Sequence, residues 1–283
     1  MYATRSSDTI RVYDAYLYRD GLKNIPGRYF DADDKAWVLP YTDEAVRTLE
    51  LLGARLGDGI ELSSQSKAVA KKYETINTQP RVKATLYAHQ VRAYNFALEM
   101  LEEGRAAAIF ADMGTGKTLI TISTVGTLYE QERIQKMLVV CPKSIVGVWE
   151  EEFRKFADFR YALTVLDGTL DKKKSAFEYM NGTALQVIVV NYESCWRLEK
   201  EVSKWRPDII VCDESSKIKN PQTAQSKALH RLGRISKYNM ILTGTPTTGS
   251  PLDFFSQYKF LDESILGTSY YLFRNKYAIL GGY

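Results

Sequence analysis

Residues 106–122 read AAAIFADMGTGKTLITI, and this stretch decides the fold. Ala106–Phe110 is a short apolar run that predicts a buried parallel strand. It breaks into the loop Ala111-Asp112-Met113-Gly114-Thr115-Gly116, and Lys117-Thr118 then opens an apolar helix. That order builds a cradle for phosphate. Gly114 and Gly116, with Met113 and Thr115 beside them, let the backbone turn so that several N–H groups face one anion. The helix start adds the positive end of its dipole. In this pattern Lys117 reaches the β- and γ-phosphates, and the Thr118 hydroxyl holds Mg2+. The strict form, G-x-x-x-x-G-K-[ST], asks for glycine where Ala111 stands. A chance glycine-rich turn before an amphipathic helix is the bland alternative.

Outward from this loop, short apolar runs alternate with helical patterns. Strands are expected at 106–110, 136–141, 162–166, 185–190, 208–212 and 239–242. Helices are expected over 89–103 and near 117–131, 143–157, 171–180 and 221–232. Near-continuous apolar strands separated by helices predict an α/β fold, a parallel sheet covered on both faces. Ligands bind such sheets at the carboxyl ends of the strands. There stands Ile209-Ile210-Val211-Cys212-Asp213-Glu214, an apolar strand ending in two acids. Asp213 can hold Mg2+. Glu214 can orient and deprotonate an attacking water, a task that points to hydrolysis of a nucleotide rather than transfer to another acceptor. A third landmark, Leu242-Thr243-Gly244-Thr245-Pro246, closes another apolar strand. The run Lys172-Lys173-Lys174 is expected to be a solvated helix face.

Taken together, ADMGTGKT, VVCPKS at 139–144, VVNYES at 189–194, DESSKIKN at 213–220 and LTGTP at 242–246 resemble, in order, the motifs of the first RecA-like lobe of a superfamily 2 helicase. The helicase form of the phosphate loop has alanine at its first position. The Lys-Ile-Lys-Asn tail and PLDFFSQYKFLD at 251–262 are similar to the Swi/Snf-type branch of DNA translocases. The resemblance spans residues 86 to about 280 and implies Mg2+–ATP hydrolysis coupled to movement on duplex or forked DNA. It implies that Gln90 reads the adenine edge and that Gly114, Gly116, Lys117 and Thr118 form the phosphate and Mg2+ site. Asp213 becomes the metal-binding acid and Glu214 the base. Lys143, Ser144, Asn191, Tyr192, Lys217, Lys219 and Asn220 fall on or near the DNA backbone track. Thr243 and Thr245 couple nucleotide state to DNA, and Tyr73 is a candidate to stack on adenine. Two departures stand out. Ser216 replaces the branch's usual histidine, which puts the coupling of the acid pair to the LTGTP loop in question, and Thr247-Thr248-Gly249 replaces an Ile-Gln-Asn-like run. The motors of this class also need a second lobe bearing an arginine finger, for which the sequence to Tyr283 leaves no room, so half a motor is expected. The alternatives are a superfamily 2 RNA helicase or restriction-type translocase, and a non-catalytic DNA-binding module with a decayed nucleotide site.

Upstream, Thr9–Tyr13 alternates like a strand and 16–24 suits a short helix. Segments 28–31 and 35–39 flank the turn Ala32-Asp33-Asp34, and a helix is expected from Thr42 as N-cap to Gly53 as C-cap. IPGRYFD at 25–31 followed by Lys35-Ala36-Trp37 resembles the HARP (HepA-related protein) domain, which implies substrate DNA contact through Arg28, Lys35 and Trp37. A mini-core hairpin is the bland alternative. We therefore expect a HARP-like α+β domain at 1–57, a linker with one helix over 62–74 at 58–83, and the RecA-like lobe at 84–283.

Composition agrees with this plan. With 45% hydrophobic and 25% charged residues the chain is an ordinary globular one, long enough for roughly two domains. Residues 1–60 hold 8 Lys/Arg against 10 Asp/Glu, leaving 30 against 24 for the remainder, a mild basic excess that permits nucleic-acid binding. No apolar run approaches the ~18 residues of a membrane span, and no secretory signal is visible, so an intracellular monomer is expected, in a bacterial or phage-infected cytoplasm or a nucleus. Cys141, Cys195 and Cys212 read as buried reduced thiols.

Overall fold

A computed structural model describes residues 1–23, 25–63, 73–104, 106–177, 182–247 and 250–278. The helix expected over 62–74, the end of the one near 171–180, and Thr248-Gly249 lie wholly or largely outside the described residues. The chain forms two compact units, Met1–Lys72 and Tyr73–Tyr283. No helix among the described residues is long and apolar enough to cross a membrane.

The first unit is a five-stranded sheet of order β3-β4-β2-β1-β5, with β1 Tyr2–Ser6, β2 Thr9–Tyr13, β3 Tyr29–Asp31, β4 Ala36–Pro40 and β5 Arg55–Leu56. The β1–β5 pair is parallel and the others are antiparallel. Alternation places Ile10, Val12 and Leu39 against Leu22, Ile25, Ala45, Val46 and Leu49, and these bury the unit's core. Thr42 caps the helix Asp43–Leu51 by accepting from Ala45 N at 3.2 Å. The hairpin turn is held by Asp31 Oδ1, which accepts from Asp33 N and Asp34 N. Strand β1 has no counterpart in the expected elements, because only Ala3 of its five residues is buried.

Of the expected linker 58–83, the described residues 58–63 and 73–83 make contacts with the two units. Ile60 joins the first core, and the Tyr41 hydroxyl donates to Glu61 O. Residues 73–83 instead line the second unit. Asn95 donates to Tyr73 O and Thr75 O, Tyr94 donates to Thr78 O, and Lys83 N donates to Phe156 O. Their backbone groups find partners that their polar side chains do not advertise.

The second unit is a six-stranded parallel sheet of order β6-β11-β10-β7-β9-β8. Its strands are β6 Ala106–Phe110, β7 Lys136–Cys141, β8 Tyr161–Val165, β9 Leu185–Asn191, β10 Ile209–Asp213 and β11 Tyr238–Thr243. Successive side chains point to opposite faces. Met137, Val139 and Cys141 therefore pack with Val91, Tyr94, Ile122, Val125 and Trp149, while Leu138 and Val140 pack with Cys195, Val202, Leu229 and Phe260. Each fully buried aliphatic contributes about 1.5–3 kcal/mol. Because all six strands run the same way, the loops after β6, β7, β9, β10 and β11 emerge on one edge.

On one face the helix Ala224–Ile235 packs against Asp253–Leu261. His230, 6% exposed, sits between them with Nε2 3.0 Å from Ser256 O and 3.1 Å from Ser256 Oγ. Burial pushes its pKa down to about 4, helped by the charges of Lys259 and Arg234 and opposed by the Ser256 hydrogen bond and by Glu263. The unfolded imidazole takes a proton near 6.5, before the folded one does, so this residue's contribution is present above that value and lost as pH falls toward 4. The loss reaches about 3 kcal/mol. Urea unfolding at pH 7 and pH 4.5 should show a smaller pH-dependent loss in His230→Gln than in the parent. An equal loss in both would exclude His230 as a source.

Candidate functional site

The phosphate loop follows β6. Ala111 N donates to Thr243 O at 3.1 Å, so residue 111 continues the β6–β11 ladder. Its φ is not positive, and alanine fits there without strain. The left-handed positions are Gly114, φ 81°, and Gly116, φ 88°. These are the two glycines that the loop requires. Lys117 opens the helix Lys117–Glu130, and its Nζ donates to Ala111 O at 2.8 Å and Asp112 O at 3.1 Å. The loop thus wraps the ammonium that serves it. Thr115 Oγ1 closes the turn onto Asp112 O at 2.7 Å. Met113 is exposed on the loop, and Thr118 is half-buried in the first helical turn.

Gln90 lies against this loop. Its Nε2 donates to Thr115 O at 3.1 Å and its Oε1 accepts from Tyr87 N at 3.0 Å. His89 Nε2 approaches the same Thr115 carbonyl at 3.0 Å. A side chain at Gly116 would have its Cβ 2.4 Å from Gln90 Nε2. Tyr73, by contrast, packs edge-on against Phe96 and donates to Glu99, so its ring is engaged on the helix Ala88–Gly104 rather than at the loop.

Asp213 ends β10 and is 6% exposed. Burial pushes its pKa up. The indole of Trp149, donating to Oδ2 at 3.0 Å, opposes that, as do the Glu214 amide on Oδ1 at 2.9 Å and the charge of Lys117, while the Glu214 charge adds to it. Glu214 takes a left-handed conformation, φ 51° and ψ 55°, which turns its carboxylate toward β11. Thr243 Oγ1 donates to Glu214 Oε2 at 3.4 Å and accepts from Thr245 N at 3.1 Å. Phosphate loop, acid pair and threonine loop therefore meet on three adjacent strand ends.

The residues expected on a DNA track divide. Lys143 and Ser144 are exposed on the short turn Lys143–Ile145 after β7. Lys217 and Asn220 are exposed, while Lys219 lies 3.8 Å from Asp253. The Asn191 side chain accepts from Ser194 N and so caps the helix Tyr192–Arg197. Tyr192 does not fit a surface role. It is buried and its hydroxyl donates to Asp213 O at 2.7 Å, so it supports the acid pair from beneath. Lys173 is no solvated lysine either, since it is buried with Nζ 2.8 Å from Ser194 Oγ. In the first unit Arg28 and Lys35 are exposed, and half-buried Trp37 packs edge-on against Phe30. Ser216 is half-buried.

Trp149 escaped sequence reading. Its spacing to Phe153 marks a core-facing helical stripe, and nothing in the sequence reveals that its N–H meets Asp213. The three cysteines are buried and unpaired, and burial pushes Cys141 and Cys195 up to about 12, which keeps them as inert thiols.

A parallel sheet whose first strand feeds a phosphate loop, with an acid pair two strands away, defines a RecA-like nucleotide-binding lobe. The chain belongs to the family with an SNF2-related domain, whose model matches residues 89–279. It is similar to the human DNA repair and recombination protein RAD54B, 32% identical over 182 residues, covering 62% of this chain and 20% of that protein. To the RAD54-like protein of Drosophila erecta it is 32% identical over 219 residues, 72% of this chain and 28% of that one. Among solved structures it resembles the Sulfolobus solfataricus SWI2/SNF2 ATPase core in complex with dsDNA, with a TM-score of 0.61 and 32% identity over 71% of this chain and 41% of that one. The match thus spans 20% and 28% of the length of these two curated relatives.

Gly116→Ala should be destabilising by about 1–2 kcal/mol from the left-handed backbone alone. By displacing Gln90 it should also weaken nucleoside triphosphate binding more than ~10-fold, as would disruption of any buried polar contact of ~1.4 kcal/mol or more. Fluorescent-nucleotide titration reads this, and unchanged affinity would dissociate Gln90 and this loop from the nucleotide site.

Proposed function

We propose that these residues form the ATP-binding lobe of a DNA-dependent ATPase that moves along duplex DNA. The observation that carries this is the placement of Lys117 after β6 and of Asp213 and Glu214 at the end of β10, with the Thr243 loop of β11 between them, in a chain of this family. ATP enters with its phosphates on Gly114, Thr115 and Gly116, and the N–H groups of the helix start face them. Lys117 exchanges its two loop carbonyls for phosphate oxygens. Gln90 holds the base near the loop, with Met113 over the phosphates.

The donor set suits Mg2+. Thr118 supplies a hydroxyl and Asp213 a carboxylate, both hard oxygen donors, and the burial that opposes the Asp213 charge favours a cation beside it. When bound, the metal would neutralise charge on the transferring phosphoryl group. Glu214 accepts the proton of the attacking water, and Thr243, bonded to it, holds the carboxylate in line. An arginine from a second RecA-like lobe, worth ~10³–10⁵ in rate in related NTPases, completes catalysis.

Lys143, Ser144, Asn191, Lys217, Lys219 and Asn220 serve as the DNA backbone track. Phosphate contacts carry little sequence information, so movement is not sequence-directed. Thr243 and Thr245 link the two ligands. Arg28, Lys35 and Trp37 of the HARP-like unit add a second DNA contact.

In the intact protein Glu214→Gln should keep ATP binding and lower duplex-stimulated hydrolysis by ~10²–10⁴, the usual worth of a general base. Lys117→Ala should abolish both. Turnover should rise with duplex DNA and not with RNA. Equal stimulation by RNA, or full turnover in Glu214→Gln, would overturn this reading.

A further inference from the structure

Ser216, the half-buried third residue after Asp213, makes no side-chain hydrogen bond among the described residues. The neighbouring Ser215 does. It is fully buried, and its Oγ donates to Gln257 Oε1 at 2.6 Å. Gln257, also fully buried, donates from Nε2 to Pro246 O at 2.7 Å and to Asp253 O at 2.9 Å. A primary amide both accepts and donates, so this one side chain holds the turn after β10 and the loop after β11 at once. No apolar side chain could bridge two such groups.

The helix that carries it reaches further. Lys219, at the far end of the turn after Glu214, lies 3.8 Å from Asp253 in the first turn of Asp253–Leu261. Phe254 packs on Phe110, the last residue of β6, with ring centroids 6.0 Å apart. The helix therefore touches the ends of all three strands that build the site. Glu214 itself holds a left-handed conformation that a residue with a side chain adopts only when its surroundings impose it. The residue directly after it is the one tied to Gln257.

We infer that Gln257, acting through Ser215, is the positioning residue that couples the Asp213–Glu214 turn to the Thr243–Pro246 loop in this chain. The inference rests on the ATPase reading above. Displacement of the loop after β11 moves the Pro246 carbonyl, the amide follows, and Ser215 carries the shift to the backbone that aims Glu214. Buried partners joined by short hydrogen bonds transmit such a shift as one unit.

The test uses the intact protein with Gln257→Leu, Ser215→Ala and Gln257→Glu. The last keeps the acceptor for Ser215 and removes the donor to Pro246. Each should lower duplex-stimulated kcat by roughly tenfold or more, while KM for ATP and unstimulated kcat stay within about twofold, because an interaction made only in the coupled state changes kcat alone. The double variant Ser215→Ala/Gln257→Leu should be no worse than either single one. Hydrogen–deuterium exchange supplies a readout independent of DNA: a non-hydrolysable ATP analogue should change protection of residues 243–247 in the parent and not in the variants. Persistence of that response in Ser215→Ala and Gln257→Glu overturns the inference whatever DNA does. A parent with no duplex stimulation, but with a nucleotide response that the variants lose, would fail the ATPase reading and leave the coupling standing. Ser215→Ala removes one oxygen atom and keeps the test available should Gln257→Leu not fold.

Discussion

A carboxylate at the end of a buried strand is the constraint from which the rest of this lobe follows. Asp213 must carry charge where burial resists it, and an unpaired buried charge is among the costliest features a fold can hold. The structure answers with an indole N–H on one oxygen and a backbone N–H on the other. Each answer has consequences elsewhere. The indole requires the helix Val146–Phe156 to lie on the sheet with Trp149 and Phe153 inward. The backbone donor requires the chain to turn at once after Asp213, and Glu214 makes that turn in a left-handed conformation. The turn in turn directs the Glu214 carboxylate to Thr243 rather than to solvent. Tyr192 then closes the floor by donating to the Asp213 carbonyl.

Much of this is legible in the sequence. Parallel strands buried on both faces show as unbroken apolar runs, so all six expected spans agree with the observed strands to within a residue at either end, and the order of the motifs follows. The edge strand β8 was also expected, although its residues are only half-buried, because Tyr161–Val165 keeps the same composition. What escaped were roles set by contacts across the sheet. Tyr192 lies in a run that resembles a DNA-facing motif, yet its position one step past the β9 end drops it under β10. Trp149 reads as a position in a helical stripe, and only the strand packed opposite gives its N–H a partner; Gln257 finds its partners in the turn after β10 and the loop after β11. Lys173, in a run of three lysines, turns inward to Ser194 because one residue in three of a helix must face its neighbour. Strand β1 escaped for a different reason: an edge-side strand with one buried residue has no pattern to read.

The alanine at position 111 shows how the same sequence can look defective and be well suited. A glycine is needed where φ is positive or where a side chain would collide. Residue 111 meets neither condition, since its N–H extends the sheet ladder to Thr243 O. Glycine there would only enlarge the unfolded ensemble, at a cost of about 0.5–1 kcal/mol relative to alanine. Alanine therefore fixes the carbonyl of residue 111 firmly, and that carbonyl is the one that holds Lys117 at 2.8 Å. The resting loop is thus already closed around a cation of the size and sign that an incoming phosphate will meet. Replacing two carbonyl partners of an ammonium by phosphate oxygens exchanges strong hydrogen bonds for stronger ones without building the loop anew. The ordering that ligand binding would otherwise require is done by β6, β11 and the two left-handed glycines before the nucleotide arrives.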